Sequence, residues 1–170
     1  GSSGNSTDPH LHLEVYDTNS NIVDPFAGAC QTNTASAWKN QLLQDTSLIV
    51  IDKGFTAYVP DLDTLRERHD IRERIFVMSQ DTAINFWIQL QGVRAGDTQR
   101  VDWYAPTGQF WFSYSYTTPA DFWYYYFWTY INLPPDSLTG KWNAKYYINS
   151  QLIADEDVLY VESIDVKDVA

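Results

Sequence analysis

Ile84-Asn85-Phe86-Trp87-Ile88-Gln89-Leu90-Gln91 sets Ile84, Phe86, Ile88 and Leu90 at every second position against Asn85, Gln89 and Gln91. Successive side chains of a strand leave on opposite sides, so this period of two predicts a strand with one buried face. The segments around it repeat the pattern. Residues 48–52 are an apolar run ending at Asp52, and Val101 and Trp103 lead to the turn Pro106-Thr107-Gly108, after which Phe110, Phe112, Tyr114 and Tyr116 share one face. Trp142, Ala144, Tyr146 and Ile148 alternate again after the breakers Leu133-Pro134-Pro135 and Gly140, and residues 158–161 supply a last strand. Gly92 and Gly96-Asp97 read as strand breaks. Short strands at this spacing, separated by turns, predict an antiparallel sandwich. Only residues 61–74 have helical character: Leu62, Leu65 and Ile71 make a thin apolar stripe in a charged stretch, read as a short surface helix or an ordered loop.

Composition narrows the function. Of 170 residues 44% are hydrophobic and 16% aromatic, with 7 Trp and 12 Tyr, a balance that favours strands. Against 11 Lys and Arg stand 22 Asp and Glu, a formal charge of −11 that opposes attraction to nucleic acid, to an anionic membrane or to anionic wall polymers by charge alone. No apolar run approaches the roughly 18 residues of a membrane-spanning helix. Cys30 is the only cysteine, so it has no intrachain disulfide partner and is expected to be a buried thiol.

Near the N-terminus, residues 10–18 read His-Leu-His-Leu-Glu-Val-Tyr-Asp-Thr, a second period-two segment, bounded by Pro9 and the turn-rich Asn19-Ser20-Asn21. Residues i and i+2 of a strand lie about 6.6–7 Å apart on one side, so His10 and His12 face one site while Leu11 and Leu13 face the other way. Such a pair either is a surface pair or serves a metal, one imidazole binding the ion while the other reaches its bound water, whose pKa zinc lowers towards about 7.

Gly4-Asn5-Ser6-Thr7-Asp8-Pro9-His10-Leu11-His12-Leu13-Glu14-Val15 resembles the H-x-H segment of the lysostaphin or LytM-type zinc metallopeptidases, and Val23-Asp24-Pro25 matches the V-D-P that closes their catalytic domain. Asp8 departs from the glycine usual there. The resemblance implies that His12 is a zinc ligand and His10 the catalytic histidine beside the metal. It also implies two further ligands from an H-x-x-x-D motif and another catalytic histidine, all in an upstream half of the peptidase domain. This chain has neither motif. His69 is its only other histidine, with Glu73 four residues on, and it lies downstream. Family members with a β-sandwich after V-D-P are similar further along, at Trp38, Pro106-Thr107-Gly108, residues 122–130, Leu133-Pro134 and Gly140-Lys141-Trp142.

Asp121-Phe122-Trp123-Tyr124-Tyr125-Tyr126-Phe127-Trp128-Thr129-Tyr130 is aromatic on both faces. It reads either as a central sandwich strand whose second face is covered, or as a platform of Trp123, Tyr125 and Phe127 stacking on the sugar faces of peptidoglycan.

The expected organisation is therefore all-β. Residues 1–30 are the last strands of a peptidase sheet and 31–37 a linker, while 38–164 form an immunoglobulin-like antiparallel β-sandwich and 165–170 an acidic tail. The implied function is the C-terminal portion of a secreted, periplasmic or cell-surface bacterial zinc endopeptidase acting on peptidoglycan cross-link peptides, inactive as this chain alone. The alternatives are a non-catalytic module binding wall or glycan and an immunoglobulin-like spacer. Expected partners are peptidoglycan peptides or glycan and the upstream half of the peptidase domain, with zinc as the cofactor of the complete enzyme.

Overall fold

The computed structural model describes residues 13–26, 36–41, 46–67, 72–133 and 137–163. The chain divides into two compact units, Gly1–Asp45 and Thr46–Ala170. In the first, β1 (Val15–Tyr16) pairs antiparallel with β2 (Ile22–Val23). The turn between them is held by the Asp17 carboxylate, which accepts the main-chain N–H of Asn19 at 2.8 Å and of Asn21 at 2.9 Å, and the Asn21 amide at 3.0 Å. These bonds favour the charged form and hold Asp17 below the usual carboxylate range, the Asn21 side chain contributing most. Phe26 and Trp38 meet at 5.7 Å between ring centroids, so Trp38 packs within the first unit, whereas the sequence alone assigned it to the sandwich.

The second unit is a two-layer sandwich of immunoglobulin-like type. Its elements are β3 (Ile49–Thr56), α1 (Leu62–Glu67), β4 (Ile75–Val77), β5 (Ala83–Val93), β6 (Thr98–Tyr104), β7 (Phe110–Thr117), β8 (Phe122–Asn132), β9 (Gly140–Ile148) and β10 (Gln151–Val161). One sheet runs β3-β5-β8 and the other β4-β10-β9-β6-β7. Every pairing is antiparallel except that of β4 with β10. The chain changes layer at every connection except β6–β7 and β9–β10, which stay within the five-stranded sheet, and β5 and β9 lie at the centre of their sheets, as the second and sixth strands of an immunoglobulin-type sandwich do.

The alternating residues build the core as expected. Ile84, Phe86, Ile88 and Leu90 from one layer meet Trp103, Trp142 and Tyr146 from the other, all fully buried. Two readings need correction. Gly92 does not end a strand: β5 continues to Val93, with Gly92 at φ +76°. Residues 122–132 are not a central strand but the edge of the three-stranded sheet, since β8 pairs with β5 on one side only among the described residues.

Helix α1 is only 6 residues long. Asp61 caps it, accepting the Thr64 N–H at 2.9 Å and the Thr64 hydroxyl at 2.7 Å. Leu65 is buried against Trp87, with Tyr126 and Trp128 packed alongside, so the helix covers part of the outer face of the three-stranded sheet. The Gln89 amide, which faces this side, donates to the Leu65 carbonyl at 2.8 Å.

A polar chain crosses the core. The Tyr146 hydroxyl donates to Gln99 Oε1 at 2.6 Å, and Gln99 Nε2 donates to the Thr118 hydroxyl at 2.7 Å. Burial raises the Tyr146 phenol above its ordinary value, with the charges of Tyr125 and Asp97 adding to the effect. The folded state therefore keeps the neutral phenol at a pH where the unfolded chain, with a phenol near pKa 10, ionises. Stability from this group is complete below about pH 10 and falls above it by about 1.4 kcal/mol per pH unit. Urea unfolding between roughly pH 10 and 11.5 should accordingly be less steep in pH for Tyr146→Phe than for wild type. Parallel slopes would show that this phenol ionises without unfolding the sandwich.

Candidate functional site

The two sheets differ in width, and the excess is left open at β7. Register places Phe112 opposite Trp103, Tyr114 opposite Val101 and Tyr116 opposite Gln99, so all three rings lie on the inner face of the five-stranded sheet. Their partners on β6 are fully buried, yet Phe112, Tyr114 and Tyr116 remain 42%, 44% and 38% exposed. The facing sheet ends at β8, and no described strand covers them.

The result is a groove of about 960 Å³ along β7 and β8, closed at one part of its rim by Leu62 of α1. Its lining is mostly aromatic, with Leu62, Thr129, Ile131 and Asn132 the exceptions, and contains no charged side chain. Tyr114 touches Phe127 across the groove floor, with centroids 6.0 Å apart, and Trp128 lies nearly parallel to Tyr130 at 6.1 Å. Trp111 stands edge-on to the buried Trp142 at 5.3 Å, which anchors that end of β7 to the core. Flat apolar faces combined with phenol hydroxyls suit an uncharged ligand that offers both C–H surface and hydrogen-bonding groups.

The residues expected to form a platform do not share an exposed surface. Tyr125 and Phe127 both line the groove floor, but Phe127 is 5% exposed and belongs to the core, packing on Tyr146 at 5.6 Å. Tyr125 is half-buried against the same core beside Gln99; burial, the largest effect, raises its phenol above the ordinary value, and Gln99 offsets part of the rise. Trp123 is exposed, at 52%, but does not line the groove. The cause is the direction of the strand's faces: the side carrying Tyr125 and Phe127 points between the sheets. The exposed rings of β7 carried no distinguishing signal in sequence, because their exposure depends on where the opposite sheet stops.

His10, His12, Cys30 and His69 lie outside the described residues. Among the described residues no group of three His, Cys, Asp or Glu side chains is arranged to hold a metal ion, and no helix is long and apolar enough to cross a membrane. No protein-family model matches the chain, and no curated protein sequence matches it. Among solved structures the chain is similar to the crystal structure of an immunoglobulin-like protein from Pseudomonas aeruginosa, at 12% identity and a TM-score of 0.44, over 68% of this chain and 97% of that one.

Proposed function

We propose that the sandwich is a non-catalytic binding module, accessory to a secreted zinc endopeptidase, and that its aromatic groove holds peptidoglycan. The observation that carries the reading is the uncharged groove of about 960 Å³ between β7 and β8. A spacer domain has no use for so many uncovered rings, since large exposed apolar patches on soluble proteins mark interaction sites. The peptidase context comes from the resemblance of residues 4–15 and of Val23-Asp24-Pro25. In the complete enzyme zinc would be held by His12 with ligands from the upstream half, and His10 would stand beside it. The net charge of −11 means that rings rather than ion pairs supply the affinity.

The test is retention of the chain on purified, insoluble peptidoglycan sacculi. Tyr114→Ala combined with Tyr130→Ala removes two groove rings that are 44% and 46% exposed, so folding should survive the change. Retention is expected to fall by about tenfold or more, the loss of two aromatic contacts. It should vary little with salt, unlike binding by charge. Wild-type retention by the double variant would remove the groove from the account.

A further inference from the structure

The groove has the shape of a missing strand. Native sheets guard their edges with charges, prolines, bulges or short strands. Among the described residues, three of the four edges of the two sandwich sheets follow that rule. The β3 edge carries Asp52 and Lys53 at a register shift, β4 has only 3 residues, and β7 has a register shift against β6 between Trp103 and Tyr104. The β8 edge has none of these guards. It runs 11 residues without a charge or a proline, and it keeps one register with β5 from Ala83↔Asn132 to Val93↔Phe122. A strand laid beside β8 would face Phe112, Tyr114 and Tyr116, the inner-face rings that the three-stranded sheet leaves uncovered.

Charge and area select the occupant. With about 150–250 Å² per aromatic side chain, rings left 38–49% exposed offer on the order of 100 Å² each. The uncovered rings Trp111, Phe112, Tyr114, Tyr116 and Tyr130 then fall short of the ~800 Å² per partner that a stable globular interface needs. A second copy is further opposed by the charge of −11 on each chain. A single strand is thin enough. Its side chains towards β7 must be uncharged, because the lining is uncharged, whereas those facing outward meet an acidic chain with exposed Asp61 and Asp63 on either side of the groove residue Leu62.

We infer that the groove accepts an extended polypeptide segment, apolar at every second position and basic or neutral between, which pairs its main chain with the outer edge of β8. The inference rests on the reading of the groove as a ligand site but gives it a polypeptide occupant in place of peptidoglycan. Main-chain pairing supplies affinity and the β7 rings set the alternation, as in other cases of strand addition. The β7 wall, 8 residues long, sets the length of the segment at about eight residues.

The experiment uses the whole chain and an end-capped eight-residue peptide of alternating Val and Lys, with amide hydrogen exchange read along β8. Exchange of every second β8 amide, those not bonded to β5, should slow about tenfold or more at saturating peptide. A control peptide with the same side chains but with its pairing amides N-methylated should not bind, a comparison that leaves the protein unaltered. Unchanged β8 exchange, or equal binding of the N-methylated peptide, overturns the inference. Binding of an N-acetylglucosamine tetramer in place of the peptide, without β8 protection, gives the groove to a saccharide; the strand idea then fails while the peptidoglycan reading stands. Peptide pairing without retention on sacculi does the reverse. Protection of β8 without peptide, together with a dimer in sedimentation, would make a second copy the occupant and also overturn it.

Discussion

Gly92→Val is expected to destabilise the sandwich by about 3–5 kcal/mol, a large fraction of the stability of an ordinary domain. Gly92 lies inside β5 at φ +76°, a backbone conformation that β-branched residues avoid. Strain is the smaller part of the effect. A Cβ at this position would stand 2.3 Å from the Ser47 carbonyl oxygen and 2.9 Å from that of Thr46, and both are main-chain atoms that no rotamer change can move. The stretch before β3 is therefore threaded against the end of β5, and the absence of a side chain permits the approach. Gly96→Ala is the matched control, since Gly96 has φ +88° but nothing within 4 Å of its added Cβ. It should cost only the strain of a positive φ, about 1–2 kcal/mol. Urea unfolding of Gly92→Ala, Gly92→Val and Gly96→Ala separates the two terms. Equal costs for the two alanine variants would mean that residues 46 and 47 do not lie against β5 in solution.

Gly92 also illustrates what the sequence makes legible and what it does not. Alternation in residues 142–148 is visible because the strand is central in its sheet and presents one face to the core, so period and burial coincide; in 84–90 the period marks only the face turned to the other sheet, since Asn85, Trp87 and Gln89 are buried as well. A glycine within such a run reads as a break, because chain order does not show another segment crossing close by. β4 escaped notice for a related reason: three residues are too few to display a period, and it is placed by pairing parallel to a strand more than eighty positions away. Residues 122–130 gave the strand itself, yet two aromatic faces look alike whether a strand is central or at an edge. Only the pairing partners distinguish them, and these are the least local feature of a sheet. The groove followed the same logic. Phe112, Tyr114 and Tyr116 were legible as one face, but that this face would stay uncovered is a property of the opposite sheet's width.

Trp123, Tyr125 and Phe127 alternate on one side of β8, and single substitutions should divide them sharply. Phe127→Ala is expected to cost about 3–5 kcal/mol, the range for deleting a buried aromatic side chain whose surroundings collapse only in part. Phe127 is 5% exposed and contacts Tyr146, which anchors the Gln99 hydrogen bonds, so the cavity would open beside the buried polar chain as well as beneath Tyr114. The thermal midpoint should fall by on the order of 10–20 °C for a unit of this size. Trp123→Ala, by contrast, removes a ring that is 52% exposed near the start of the strand and outside the groove lining, and should change stability by no more than about 0.5 kcal/mol. Tyr114→Ala belongs between them, because its ring is the uncovered wall resting on Phe127. Thermal melting and retention on sacculi, measured together, tell the three roles apart. Phe127→Ala should lose binding only in proportion to the fraction unfolded, Tyr114→Ala should lose binding while folded, and Trp123→Ala should lose neither. A Phe127→Ala variant that melts like wild type yet no longer binds would place Phe127 in the binding surface, and the assignment of its face to the core would be wrong.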